Sequence, residues 1–313
     1  MAMHKPESRP VRPEDYWPIH RLIGETMPIT PLGFNGDIRR WEGKRFYDKN
    51  PAGDPDWCKN SQLWPRPSGQ PAAVAHPDSP GYPALLVHPD YRRLEPEMIA
   101  WAEEHLSRPL PEGKLLEEGK SEIQFYVYDY DAQRQRLLAD RGYQKMTSGG
   151  TIRRLRFGQQ SLARPALAAG YRLRTTDPED DADAQQIADL LNAAFNRDFH
   201  NATEYQNFAR QAPSFQPDLD LVAITPDGAF AAYVGIPYDQ ANQLGIFEPV
   251  CTHPDHRQKG LARALMREGL LRLSALGAHY AMVDTGDMIP ANRLYDAIGF
   301  GEVHQGAYWR KIF

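Results

Sequence analysis

The sequence is poor in cysteine and has no long run of apolar residues. Only Cys58 and Cys251 occur among its 313 residues, which argues against a disulfide framework and favours a cytoplasmic location. Neither cysteine has paired histidines at the spacing of a zinc site, so we expect no bound metal. No apolar stretch is long enough to cross a bilayer, and residues 1–9 lack the core of a signal peptide, so we expect no membrane partner.

An excess of charge of either sign is also missing. The chain has 36 Lys and Arg against 41 Asp and Glu, a net charge of −5 with neutral histidines. This mild acidity gives no support for a nucleic-acid-binding surface, and we expect no nucleic-acid partner. The length is sufficient for two domains of ordinary size.

The most distinctive segment is residues 248–266, which predicts a strand, a tight turn and an amphipathic helix. Small residues at the start of the helix, Gly260 and Ala262, allow an anion to approach the backbone N–H groups. Those N–H groups have no partner within the helix and lie at the positive end of its dipole. Three cations flank the same turn, namely Arg257, Lys259 and Arg263. An ordinary surface turn before a buried helix would look the same, so the choice depends on residues further along the chain.

The chain repeats itself at a separation of about half its length. Residues 85–93 resemble residues 250–258, since both contain His-Pro-Asp after a strand-like segment. Each copy is followed by a helical pattern, a strand, and a short helix that ends in glycine and an aromatic residue. Alternating strands and helices predict an α/β fold in both halves. The expected domains are residues 1–158 and 171–313, joined by a linker at 159–170.

The second half carries a specific order of residues after the turn. Asn292 and Tyr295 lie in one predicted helix, and Gly299 and Phe300 follow it. With the pattern Arg-x-x-Gly-x-Ala at 257–262, this order resembles the GNAT acyl-CoA-dependent acetyltransferases over nearly all of the second half. The duplicated arrangement resembles the tandem GNAT proteins, the class that includes mycothiol synthase. The resemblance implies an α/β (α+β) fold of two tandem GNAT-like domains, each a mixed, twisted sheet flanked by helices.

The resemblance also implies which residues bind acetyl-CoA. Backbone N–H groups of the strand around Val250 to Thr252 would polarise the thioester carbonyl. The implied cofactor-binding residues are Val250, Cys251, Thr252, Arg257, Gln258, Lys259, Gly260, Leu261, Ala262, Arg263 and Asn292. The Cys251 side chain is expected to be a core or strand residue, because nothing in the sequence supplies a histidine base to make it a nucleophile.

Two residues are candidates for acid–base catalysis. An amine acceptor has a pKa near 10.4, so at pH 7 only about one molecule in a few thousand is unprotonated, and a base is useful. Glu248 is the candidate base, although many GNAT enzymes carry this glutamate two residues earlier, where this chain has Ile246. An exposed carboxylate on an edge strand would look the same. Tyr295 can donate a proton to the leaving thiolate, since a phenol has a pKa of about 10.

The first half lacks the features of the anion site. Aligning the two turns sets Glu95, Pro96 and Glu97 opposite residues 260–262. A bulky side chain, a missing N–H group and two like charges then face the place of a pyrophosphate. Leu138 also stands where the second half has its candidate acid. We therefore expect the first half to keep the fold without binding acyl-CoA.

Other polar residues have two interpretations. His253 is expected to form the turn, because His88 occupies the same place in the first repeat. Asp284, Thr285 and Asp287 follow a predicted strand, where they either contact a ligand or are ordinary turn residues.

A long loop is predicted at residues 48–83, where periodic patterns are few. Trp57 and Trp64 of this loop, with the nearby Trp41, either wall an acceptor pocket or pack as core residues. The acceptor pocket itself is expected around residues 195–215.

The resemblance implies an acyl-CoA-dependent N-acetyltransferase. The C-terminal domain would transfer acetyl directly from acetyl-CoA to an amine in a ternary complex. We expect a small-molecule amine as acceptor and a monomer or homodimer. The alternative is a non-catalytic acyl-CoA-binding or interaction module on a double GNAT fold, and the fold itself does not identify the acceptor.

Overall fold

The computed structural model describes residues 7–29, 34–50, 53–110, 119–158, 161–286 and 288–313. The chain divides into two compact units. We call residues 1–37, 58–151 and 304–313 the N-unit, and residues 38–57 and 152–303 the C-unit. Each unit therefore contains a segment from the other half of the sequence.

The division into consecutive domains at residues 159–170 stays a prediction. The compact units depart from it at three places: residues 38–57 and 152–158 belong to the C-unit, and residues 304–313 belong to the N-unit. Residues 159 and 160 of the expected linker lie outside the described residues, as do residues 1–6, which cover most of the segment tested for a signal peptide.

Strands and helices alternate along the whole chain, as the sequence predicts. The first part contains β1 (Arg9–Pro10), α1 (Tyr16–Thr26), α2 (Ile38–Phe46), β2 (Gln62–Pro65), β3 (Pro71–Ser79), β4 (Tyr82–Val87), α3 (Glu95–His105), β5 (Arg108–Pro109), β6 (Ser121–Tyr128), α4 (Ala132–Asp140) and β7 (Gln144–Arg156). The second part contains β8 (Arg172–Thr175), α5 (Asp181–Phe195), α6 (Ala202–Gln211), β9 (Asp220–Ile224), β10 (Phe230–Gly235), β11 (Tyr238–Asp239), β12 (Leu244–Ile246), β13 (Val250–Thr252), α7 (Leu261–Ala275), β14 (Tyr280–Gly286), α8 (Ile289–Ile298) and β15 (Glu302–Ile312). Across the described ranges, no helix is long and apolar enough to span a bilayer.

The N-unit contains two groups of antiparallel strands. β1, β2, β3 and β4 form a sheet in chain order. β6 pairs with β5 on one side and with the C-terminal β15 on the other, with Ile312 opposite Glu122. The core contains Trp64, Met98 and Trp309, all at most 8% exposed. Trp64 is therefore a core residue, in agreement with the second interpretation of the tryptophans.

The C-unit also contains two groups of strands. One is an antiparallel sheet in the order β13–β10–β9–β8. In the other, β12 pairs with β11 antiparallel and with β14 parallel, so this group is mixed. Helix α7 packs closely on the unit's core, since a Cβ on Gly269 would lie 2.2 Å from Ile236 Cδ1. The buried face of α7 includes Met266, Leu270 and Leu273, whereas Ala262 is half-buried.

The internal repeat is confirmed as repeated local structure. His88 and His253 each precede a 3₁₀ turn, Pro89–Leu94 and Pro254–His256, and accept a hydrogen bond through Nδ1 from the N–H group two residues on, at 3.3 Å. The predicted turn-forming role of His253 is therefore confirmed. With sheets flanked by helices in both units, the α/β (α+β) class is confirmed as well.

Candidate active site

The candidate site begins where the chain changes strand partner within the C-unit. Phe247 N–H donates to Met282 C=O on β14 at 2.8 Å, whereas Glu248 N–H donates to Gly235 C=O on β10 at 3.0 Å. From there β13 continues beside β10, with Cys251 opposite Tyr233. β13 and β14 thus belong to different groups of strands, and β13 is the edge of its sheet among the described residues.

The open edge of β13 presents backbone donors. Gly235 N–H bonds to Pro249 C=O at 3.1 Å, and His253 N–H bonds to Ala231 C=O at 2.9 Å. By the alternation of an antiparallel pair, the N–H groups of Val250 and Thr252 then point away from β10. Neither has an acceptor within the part of the chain that the structure describes. Donors fixed in this way can polarise a carbonyl placed along the edge.

Cys251 lies between these two donors, and its side chain is in the core. It is 6% exposed and packs in a cluster with Ile187 and Leu190 of α5. Burial raises the pKa of the thiol to about 12, so the nucleophilic thiolate is scarce at neutral pH. The expected core role is confirmed. Because the side chain is buried, only the backbone of Cys251 is available to contact acetyl-CoA.

The turn before α7 is open to an anion. Gln258 and Gly260 have φ angles of 63° and 73°, in the left-handed region. Within the described ranges, the N–H groups of Leu261, Ala262 and Arg263 have no hydrogen-bond acceptor. A Cβ placed on Gly260 would have Arg263 Nη2 as its nearest neighbour, at 3.4 Å. These N–H donors lie at the positive end of a 15-residue helix. Such a group of donors fits a pyrophosphate.

Exposed basic side chains lie beside these donors. Arg257 is held by a 2.9 Å hydrogen bond from Nη2 to Ala194 C=O. Lys259 Nζ donates to Tyr171 Oη at 2.9 Å. Each cation keeps further donors for an anion. No group of His, Cys, Asp and Glu that could hold a metal occurs among the residues described.

The Glu248 carboxylate is held by two arginines of α2. Arg39 Nη1 lies 3.1 Å from Oε1, and Arg40 Nη2 lies 3.8 Å from Oε2. Burial acts to raise the pKa of Glu248, but the charges of Arg39 and Arg40 outweigh it and hold the pKa below its usual range. Glu248 is therefore ionised at neutral pH and is a weak base. Arg40 also pairs with Asp284 on β14, at 3.3 Å.

Sequence reasoning missed both arginines. They precede Glu248 by about 210 residues and fall in the other half of the predicted repeat. A short helix with several basic residues is common on protein surfaces, so no local pattern indicated their role.

The candidate acid Tyr295 is buried on α8. It is 5% exposed, and its ring centroid lies 6.1 Å from that of Phe300. Burial, with the charges of Asp284 and Glu248, raises the pKa of Tyr295 to about 12, and Arg153 acts against this rise. The phenol is therefore protonated at neutral pH, as a proton donor must be.

Asn292 is already engaged by hydrogen bonds. Its Oδ1 accepts from Arg153 Nε and Nη2, each at 3.2 Å. Its Nδ2 donates to the C=O groups of Gly286 and Met288, each at 3.1 Å. These bonds tie α8 to the end of β14, and a contact of Asn292 with acetyl-CoA stays a prediction. Asp287, the neighbouring candidate, lies outside the described residues.

A narrow pocket lies beside Glu248 in the C-unit. Its charged lining residues are Arg39, Asp220 and Glu248. Its walls are aromatic: Tyr47, Tyr205, Phe208, Phe215 and Tyr233. Three of these rings come from residues 195–215, where the sequence placed the acceptor pocket.

A buried carboxyl forms part of the pocket lining. Asp220 is 2% exposed and accepts hydrogen bonds from Tyr205 Oη at 2.6 Å, from Tyr233 Oη at 2.7 Å and from the Thr176 hydroxyl. Burial raises the pKa of Asp220, and the three hydroxyl donors oppose that rise. The tyrosine rings are thus held in place by hydrogen bonds at their outer ends.

In the N-unit, the two glutamates of the turn equivalent to that at Gly260 bond to other side chains of the protein. Glu95 is fully buried, and its Oε1 lies 3.0 Å from Arg92 Nη2 and 2.8 Å from Arg134 Nη2. Glu97 instead accepts from Trp64 Nε1 at 2.8 Å. The expectation that both carboxylates face an open anion site was wrong in this detail, because Glu95 is turned inward by two guanidinium groups. A silent first half stays a prediction.

Comparison with known proteins agrees with this geometry. Residues 184–300 match the family model described as acetyltransferase (GNAT) family. A curated relative, the probable glycylpeptide N-tetradecanoyltransferase of Caenorhabditis elegans, is 25% identical over 138 residues. That match covers 40% of this chain and 31% of the relative, so the chain spans about a third of the relative's length.

Two solved structures share the fold over nearly the whole chain. The GCN5-related N-acetyltransferase from Sphaerobacter thermophilus has a TM-score of 0.64 and 21% identity, covering 98% of this chain and 95% of its own. A tandem GNAT protein from the clavulanic acid biosynthesis pathway, without AcCoA, has a TM-score of 0.65 and 16% identity, covering 98% of both chains. Residues 184–300 therefore match the GNAT acetyltransferase family, and the chain has the fold of the tandem GNAT proteins.

Proposed function

We propose that the C-unit transfers an acetyl group from acetyl-CoA directly to a small-molecule amine. The observation that carries this proposal is the turn at Gly260, where a helix N-terminus with unbonded N–H groups directly follows the open edge of β13. Acetyl-CoA supplies the acyl group as a thioester, together with a pyrophosphate that such a turn can bind.

The proposed binding residues divide into two groups. The N–H groups of residues 258 and 260–263 bind the pyrophosphate, and Arg257, Lys259 and Arg263 balance its charge. The N–H groups of Val250 and Thr252 polarise the thioester carbonyl. Cys251 contributes backbone to this strand, and Asn292 supports the cofactor arm from the start of α8.

The two candidate catalytic residues handle protons. An ammonium acceptor loses two protons when its nitrogen bonds to the acyl carbon and the carbon–sulfur bond breaks. Tyr295 passes one proton to the leaving sulfur. Its raised pKa keeps the phenol protonated until then. Glu248 attracts the ammonium and passes the other proton to solvent through water. Its lowered pKa suits a relay better than a final proton acceptor.

The acceptor class, location and partners are proposed as well. We propose a small-molecule amine because the pocket beside Glu248 is compact. A cytoplasmic location, the absence of nucleic-acid and membrane partners, and a monomer or homodimer remain predictions from the sequence.

The test is acetyl-CoA-dependent acetylation of an amine panel, followed by CoA release and by mass spectrometry of the amine. We expect equal amounts of free CoA and acetylated amine. Tyr295→Phe should lower kcat by about 10²–10⁴-fold while acetyl-CoA still binds. Acetyl-CoA binding without turnover of any amine, unaffected by Tyr295→Phe, would favour a non-catalytic binding module. Failure of acetyl-CoA to bind would refute both.

A further inference from the structure

A segment from the N-terminal half is built into the C-unit. We call residues 38–57 the α2 arm. Glu42 on this arm is fully buried and accepts hydrogen bonds from the Ser214 N–H group, at 3.2 Å, and from the Ser214 hydroxyl. A buried carboxylate is rare unless it is bonded in this way, so the contact fixes the helix in one position.

A second anchor holds the segment that follows α2 in the arm. Asn207 on α6 donates through Nδ2 to the C=O groups of Asp48, at 2.6 Å, and Asn50, at 3.0 Å. Trp41 and Trp57, both at most 5% exposed, pack edge to face with ring centroids 5.5 Å apart. The arm is therefore held by side-chain bonds at Glu42, by bonds to the backbone of Asp48 and Asn50, and by an aromatic pair.

Arg39 connects the α2 arm to the candidate active site through a contact with Glu248. Its Nη1 lies 3.1 Å from Glu248 Oε1, and its guanidinium lies 5.9 Å from the centre of the Phe208 ring. Its Nε is buried and, within the described ranges, has no hydrogen-bond partner. Arg39 thus fixes the carboxylate of Glu248 and lines the pocket.

Tyr47 of the α2 arm adds an aromatic ring to the pocket lining. Its ring centroid lies 6.0 Å from that of Phe208, at an interplanar angle of 62°. Tyr205 and Tyr233 on the same pocket are fixed by Asp220. Aromatic faces attract ammonium groups, and the ionised Glu248 lies on the same lining.

From these contacts we infer that the α2 arm is the acceptor-recognition element of the C-unit: Arg39 positions Glu248, and Tyr47 completes an aromatic wall for the body of a primary ammonium with an apolar substituent. This inference rests on the proposed acetyl transfer. It also gives the first half a function that does not require acyl-CoA binding there.

The test compares Arg39→Met and Tyr47→Leu with Arg45→Met in the full chain. Arg45 lies on the same arm, with its guanidinium 5.3 Å from the Phe46 ring centre, and does not line the pocket. The acceptors are phenethylamine, butylamine and glycine. Arg39→Met and Tyr47→Leu should each raise KM for phenethylamine about tenfold or more, whereas Arg45→Met should leave it unchanged. Affinity for acetyl-CoA should stay within about twofold in all three.

Two further readouts separate positioning from general damage. Arg39→Lys should recover part of the lost activity, because it restores the charge without the guanidinium geometry. In Arg39→Met, the acid limb of kcat/KM should move to higher pH. The charged or titratable groups near Glu248 are then Arg40, Asp284 and Tyr295, together with Asp220, Tyr47, Tyr205 and Tyr233 of the pocket lining.

The outcomes distinguish this inference from the proposed function. Wild-type turnover with an unchanged KM in Arg39→Met and Tyr47→Leu would overturn the role of the arm and leave acetyl transfer standing. An equal rise of KM in Arg45→Met, or a preference for glycine, would also overturn it. Absence of wild-type turnover on every amine would refute the proposed function and this inference together.

Discussion

Replacing Gly260 with alanine tests the anion site at the start of α7. Gly260 has a φ of 73°, and an alanine in this left-handed conformation costs about 1–2 kcal/mol. The added methyl group would stand 3.4 Å from Arg263 Nη2, beside a cation expected to touch the pyrophosphate. Hydrogen bonds to charged groups contribute about 1.5–3 kcal/mol each, so disturbing one should raise the Kd for acetyl-CoA by about tenfold or more.

Gly277→Ala is the matched control for this substitution. Gly277 follows α7 at the other end, has a φ of 78°, and has no atom within 4 Å of an added Cβ. Both variants should lose a similar free energy of unfolding, measured by denaturant titration. Titration calorimetry should show weaker acetyl-CoA binding only in Gly260→Ala. Equal Kd values in the two variants would refute the assignment of the turn.

Further predictions concern catalysis and stability. Arg39→Met should shift the acid limb of the pH–rate profile upwards, because Glu248 loses the main charge that lowers its pKa; an unchanged limb would show that Glu248 does not take part. Tyr295→Phe should lower kcat without changing the acetyl-CoA Kd, as stopped-flow and equilibrium titration can measure. Glu95→Gln should cost about 1.5–3 kcal/mol in thermal or denaturant unfolding, because Arg92 and Arg134 would keep only Asp131 as a charged partner. It should leave acetyl-CoA stoichiometry at one per chain; a gain of a second site would contradict the silent N-unit.

Features that depend on neighbouring residues could be predicted from the sequence. The His-Pro-Asp turns, the buried face of α7 and its end before Gly277 follow from local backbone and periodicity rules. The repeat was visible because both halves use the same turn, with a histidine that accepts from the N–H two residues later.

Features that depend on distant contacts could not be predicted. The pairing of Arg39 with Glu248 joins residues about 210 positions apart, and α2 carries no motif. The inward turn of Glu95 depends on Arg134, which lies on a different helix. A residue pattern fixes which side chains are available near a turn, but not which partner neutralises each charge.

The most direct test of the account is a crystal structure of the chain with acetyl-CoA. We expect the pyrophosphate within hydrogen-bond distance of the N–H groups of residues 261–263, and the thioester along the edge of β13 beside Tyr295. Acetyl-CoA bound in the N-unit, or a pyrophosphate away from the Gly260 turn, would contradict the account.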